Sequence, residues 1–227
     1  DTPEIAARLA AANPCVKNLR EDELGLSAAR NTALKQAHGK FVLFLDDDAT
    51  AEPGWLAAYQ HFLSAPPSDK ITVIGGAVLN EFEISLPKWA DTNATVFKHG
   101  DSPKCLPYRG SLFGCNIGYR REAALAVGMF DTQLGRKGKN MMGREETDLN
   151  LRLQDAGYEI WWLPAATVRH FAQASRMTFR ANMRGQFGEG RSVAIQRLKA
   201  RRRGRDREIY RMARLVAAPF HAAAFEV

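Results

Sequence analysis

The stretch that most constrains this chain is KFVLFLDDDAT, residues 40–50. Five apolar residues, Phe41 to Leu45, run straight into Asp46, Asp47 and Asp48. A short unbroken apolar run, with His38-Gly39 before it and Pro53 soon after, reads as a strand buried on both faces. Such a strand belongs in a sheet with helices on either side. Open α/β sheets bind ligands beyond the carboxyl ends of their strands. Three carboxylates crowded at that end repel one another, and a bound cation relieves the repulsion. On a strand, Asp46 and Asp48 would share a face and Asp47 would point away.

The surrounding pattern fits an α/β layer protein. Residues 1–12 read as a helix with Thr2 as cap and Pro3 at the first position. A short strand is expected within residues 13–20. Ser27 is placed to cap a helix over 28–37, ended by His38-Gly39. Pro53 opens a helix over 54–63, and Pro66-Pro67 stops it. Residues 71–79, ITVIGGAVL, read as one more buried strand, with Gly75-Gly76 marking a bulge or a close approach. Residues 80–112 read as a long functional loop. A helix is expected at 122–127, another at 145–156, strands at 158–163 and 167–170, and mostly helix from 175 to 203. No strand precedes the first helix, so the sheet's opening strand is expected to lie outside this chain.

Charge is uneven. The 227 residues carry a net +7, and Arg197 to Arg214 hold nine basic residues against Asp206 and Glu208. The rest is nearly neutral. Cys15, Cys105 and Cys115 form no CxxC pair, which argues against a zinc site or a disulfide framework and for a reducing compartment. No apolar run approaches the ~18 residues of a spanning helix, and no leader is evident at Asp1.

Four motifs, in order, resemble the family 2 glycosyltransferases. They are Gly25-Leu26-Ser27-Ala28-Ala29-Arg30-Asn31; Asp46-Asp47-Asp48; Gly114-Cys115-Asn116; and Glu145-Glu146-Thr147-Asp148-Leu149 with Arg152, Leu153, Gly157 and Tyr158. Two features depart from the family pattern. The early acidic motif that holds the nucleotide base is absent, and Glu-Glu stands where Glu-Asp is usual. The resemblance implies a GT-A fold over residues 1–190, a mostly parallel sheet flanked by helices, followed by a basic helical tail over 191–227.

It also implies a reaction: metal-dependent, inverting transfer of a sugar from a nucleotide diphosphate to an acceptor hydroxyl, as in polysaccharide or surface-glycan synthesis. Mn²⁺ or Mg²⁺ suits the hard oxygen ligands. Asp48, Asp46 and His170 are the expected metal residues, with Asp46 also a candidate for the donor's ribose. Glu146 is the expected general base, and Glu145 its neighbour toward acceptor hydroxyls. Arg30 and Asn31 are expected at the donor's diphosphate or base. Gly114 and Asn116 are expected at the donor sugar, with Arg191 in a gating segment over the diphosphate. Trp89 and Tyr108 are candidates to stack on an acceptor sugar.

The basic tail and the apolar residues 215–225 suit an anionic membrane, and a cytoplasmic location on the inner membrane's inner face is expected. The acceptor would be a glycan or a lipid-linked sugar. Nucleic acid is not expected, because no recognition motif accompanies the charge. The alternatives are a nucleotidyltransferase and a non-catalytic polyanion- or membrane-binding domain.

Overall fold

The computed structural model describes residues 2–87, 89 and 96–202. In chain order the elements are α1 (Thr2–Ala12), α2 (Leu26–Gln36), β1 (Phe41–Leu45), β2 (Ala49–Ala51), α3 (Trp55–Ser64), β3 (Ile71–Gly75), β4 (Val78–Phe82) and β5 (Val96–Phe97). They continue with β6 (Lys104–Cys105), β7 (Asn116–Arg120), α4 (Arg121–Ala126), α5 (Glu145–Asp155), β8 (Glu159–Trp162), β9 (Val168–Ala172) and α6 (Phe179–Arg202).

The principal sheet has the order β1-β7-β3-β8-β6. β3 pairs parallel with β8, while β7 lies antiparallel between β1 and β3, and β6 is antiparallel to β8. Thus β1, β3 and β8 share a direction, as the α/β reading expects, and the sheet as a whole is mixed.

Both faces of β1 carry packing, which is why it has no polar face, but as the sheet's edge strand it is only half-buried and Leu45 is exposed. Val42 and Phe44 pack with Leu34, Tyr119, Phe130 and Leu149 on one side. Phe41 and Leu43 pack with Tyr59, Ile71 and Ile74 on the other. That alternation is the two-residue period of a strand.

A second sheet, β2-β9-β4-β5, takes its first three strands from the segments that leave β1, β8 and β3. Residues 71–79 are therefore two strands in two sheets, and Gly75-Gly76 is the junction. A side chain at Gly76 would put its Cβ 1.8 Å from the Ala166 carbonyl oxygen, so only glycine fits. The acidic turn lies at the same junction, between β1 and β2.

Other expectations shift. Residues 13–20 form no strand and are exposed. Ser27 lies inside α2; Gly25 is the cap residue, and Ser27 Oγ donates to the Leu134 carbonyl at 2.8 Å. α6 runs unbroken through residue 190. Arg203 to Val227, with most of the expected membrane-binding tail, lie outside the described residues.

Candidate active site

Strand register builds the first half of the site. Asp46, Asp47 and Asp48 are not the end of a strand but a turn, in which the Ala49 N–H donates to the Asp46 carbonyl at 3.1 Å. Asp46 and Asp48 therefore do not share a face through strand alternation, contrary to the expectation from the sequence. Instead β2 pairs with β9 so that Ala49 faces His170, and β4 pairs with β9 so that Asn80 faces His170. These registers put His170 Nε2 3.3 Å from Asp48 Oδ1, and His170 Nδ1 3.0 Å from Asn80 Oδ1.

If Nδ1–H donates to Asn80, the Nε2–Asp48 contact is closed either by a proton on Nε2 or by a metal ion bound to both groups. A ligating histidine commonly donates its other ring N–H to an oxygen, as here. The donor set therefore fits a divalent cation of the Mn²⁺ or Mg²⁺ type. No ready-made group of three His, Cys, Asp or Glu ligands occurs among the described residues. A cation of the Mg²⁺ type takes one or two protein carboxylates and completes its shell with phosphate oxygens and water.

Arg30 builds the second half. Its side chain is 5% exposed, and it donates to Glu145 Oε1 at 2.8 Å, Asp46 Oδ1 at 2.9 Å and the Gly114 carbonyl at 3.0 Å. The rings of Phe44 and Phe130 lie 5.7 and 5.6 Å from the guanidinium carbon. Its donors are thus directed at the protein rather than at a diphosphate. One planar fork locks the acidic turn of β1 to the first residue of α5, a geometry lysine cannot reproduce. Arg30→Met leaves the buried Glu145 carboxylate without its cation. We expect a loss of about 3–5 kcal/mol in urea unfolding, and only partial recovery with Arg30→Lys.

α5 begins after Arg144, which holds a left-handed φ of 67°. Glu145 turns inward to Arg30 and is buried in the wall of the cleft. Glu146 is half-buried, lines the same cleft and has no salt-bridge partner among the described residues. Burial, and then the neighbouring Glu145 carboxylate, push its carboxyl up to about 7. A base with that value works at neutral pH.

The acidic turn, His170, Glu146, Arg30 and Gly114 all line one open cleft of ≈ 980 Å³. Other expected site residues lie elsewhere. Asn116 is fully buried: its Oδ1 accepts from Trp55 Nε1 and Tyr59 Oη at 2.9 and 2.8 Å, and its Nδ2 donates to the carbonyls of Ala77 and Ala166. It joins the two sheets and has no group left for a sugar. Asn31 makes reciprocal bonds of 2.9 Å with the Phe130 backbone. Arg191 is exposed on α6 and does not line the cleft; Glu189, two residues earlier, does and pairs with Arg144. Tyr108 donates to Asp155, and Trp89 packs edge-on against Phe179.

Sequence reading misses Arg176, whose NH1 lies 2.9 Å from Asp48 Oδ2, and Arg144 and Arg136, which also line the cleft. Nothing in QASRM sets Arg176 apart. Its place comes from the 3-10 turn Ala174–Met177 after β9.

A sheet flanked by helices, with an acidic turn where β1 leaves it, defines an α/β fold of the GT-A type. GalNAc-T7, solved with UDP, GalNAc and Mn²⁺, superposes with a TM-score of 0.52 at 19% identity, over 74% of this chain and 35% of that one. The chain belongs to glycosyl transferase family 2, whose profile it matches over residues 1–128. Among curated relatives, the glucosyl-dolichyl phosphate glucuronosyltransferase of Haloferax volcanii is 24% identical over 200 residues, 86% of this chain and 63% of that protein. The succinoglycan biosynthesis protein ExoM of Rhizobium meliloti is 28% identical over 173 residues, 74% and 51% respectively. The chain thus spans between half and two thirds of these relatives' lengths.

Proposed function

We propose that this chain carries the catalytic centre of a metal-dependent, inverting glycosyltransferase. The donor is a nucleoside-diphosphate sugar and the acceptor is a hydroxyl of a glycan or lipid-linked sugar. The observation that carries this reading is the shared cleft. It brings the Asp48–His170 pair together with Glu146, which has no salt-bridge partner among the described residues and a carboxyl pushed up to about 7.

Asp48 and His170 hold the cation, with Asp46 nearby for a ribose hydroxyl or a metal-bound water. When bound, the cation offsets the charge that grows on the departing diphosphate. Arg176 and Arg144 bring guanidinium groups into the cleft for phosphate oxygens. Glu146 accepts the acceptor hydroxyl's proton as the new bond forms, while Arg30 and Glu145 fix the start of α5. With Glu146 acting directly on the acceptor hydroxyl, transfer is one displacement with inversion at the anomeric carbon. The dolichyl phosphate and succinoglycan in the relatives' names support an acceptor in lipid-linked or polymeric glycan synthesis.

The test is transfer from UDP- and GDP-sugars with Mn²⁺, Mg²⁺ or chelator, with the product anomer read by NMR. Retention of configuration, or full activity in chelator, overturns the reading. The pH profile is a second check. Glu146 must be ionised to act, so kcat/KM should rise about tenfold per pH unit below 7 and level off above it. A profile flat from pH 5 to 8 removes Glu146 as the base.

A further inference from the structure

α6 is amphipathic the wrong way round. The face it turns to the protein is small and polar. Gly188 has no room for a Cβ, which would meet the Met141 carbonyl oxygen at 2.3 Å, and Ser192 accepts from the Gly143 N–H at 3.0 Å. Its large apolar residues face outward. Phe179, Met183 and Phe187 are 65, 53 and 72% exposed. Four-residue spacing sets each about 40° round from the last, so the three form one ridge. Trp89 extends the ridge, edge-on to Phe179 with ring centroids 5.9 Å apart and itself half-exposed.

Along this ridge lie the exposed Arg180, Arg184 and Arg191. The one acid in the helix, Glu189, is turned to Arg144 at the cleft. The outer face is therefore apolar and cationic, with no acid of the helix to neutralise it. Contiguous exposed apolar surface of this kind marks an interaction site. A second copy would bring the same arginines against these and be repelled. An anionic bilayer is complementary in both respects, because headgroups meet the arginines while rings and thioether enter the boundary. No described helix is long and apolar enough to cross a membrane, so the contact is along a surface.

We propose that the outer face of α6 docks this protein on an anionic lipid surface through Phe179, Met183 and Phe187 with Arg180, Arg184 and Arg191. Glu189, on the opposite side of the same helix, lines the cleft. Docking would therefore lay on the bilayer a helix that borders the cleft. The surface is distinct from the basic residues after 197 and acts without sugar chemistry, so its test is independent of the transferase reading.

The experiment is co-sedimentation of the full chain with vesicles of phosphatidylglycerol and phosphatidylcholine, and with phosphatidylcholine alone. The chain should bind the anionic vesicles and be released by salt. F179S/M183S/F187S should lower the partition by roughly tenfold or more with an unchanged thermal midpoint, since all three side chains are exposed. R180E/R184E should weaken binding to the anionic vesicles. A triple variant that binds like the parent assigns the binding to the basic residues after 197 and overturns the proposal. So does a parent that fails to bind, or one that dimerises in light scattering through this ridge and ignores vesicles.

Discussion

Asp48→Ala should lower sugar transfer by about a thousandfold and remove Mn²⁺-dependent UDP binding. The cation would keep His170 but lose the only carboxylate within 3.3 Å of that ring's Nε2 among the described residues. Charge stabilisation of a departing diphosphate by a metal is worth several kcal/mol. Losing about 4 kcal/mol of it corresponds to that factor. The substitution also releases Arg176, which pairs with Asp48 at 2.9 Å, so metal-free UDP binding should persist or improve. Calorimetry with and without Mn²⁺ separates the two effects. Mn²⁺-dependent binding equal to the parent's excludes Asp48 as a ligand.

Glu146→Gln should leave donor binding intact and cut transfer by a factor of about 10² to 10⁴, the usual range for a general base. A purely structural glutamate would leave transfer unchanged on this substitution, and that outcome places the base on another residue. The same variant makes a stability prediction of defined sign. Glu146's carboxyl is raised from 4.5 to about 7 in the fold, so the folded protein binds the extra proton between those values. Its contribution is complete below about 4.5 and is lost as pH rises through about 7. At pH 8 the parent carries a half-buried carboxylate beside Glu145, and the amide relieves it. Glu146→Gln should therefore melt higher than the parent at pH 8 and about equally at pH 4.5. A variant that becomes inactive and more stable together is what a half-buried catalytic base predicts.

Local features of the site are legible in the sequence because they rest on short-range physics. A five-residue apolar run can pack on both faces and nothing else, so β1 and its acidic end are clear. Glu145, Glu146 and Asp148 complement the amino end of a helix dipole, so the start of α5 is clear too. Residues whose role depends on a distant partner are not legible. Asn116 and Asn31 offer the same amide, and only the fold shows that one joins two sheets and the other clamps the Phe130 backbone. Arg30 has the chemistry of a phosphate ligand. Its burial between Asp46, Glu145 and two rings makes it the support of the site instead. Gly76 reads locally as a bulge or a close approach, and the sequence cannot say to what. The Ala166 carbonyl, 1.8 Å from where a Cβ would stand, comes from a distant part of the chain and leaves no local trace.

The sequence by itself determined the α/β layering, the acidic cluster that follows β1 and the glutamate pair, since these depend on periodicity, charge and capping within a dozen residues. Tertiary structure alone decided which glutamate takes Arg30 as its partner, which histidine nitrogen faces Asp48, and that the apolar ridge of α6 points outward. Those outcomes depend on strand register and on which surfaces meet, and a donor or an apolar side chain carries no record of its partner until the chain has closed around it.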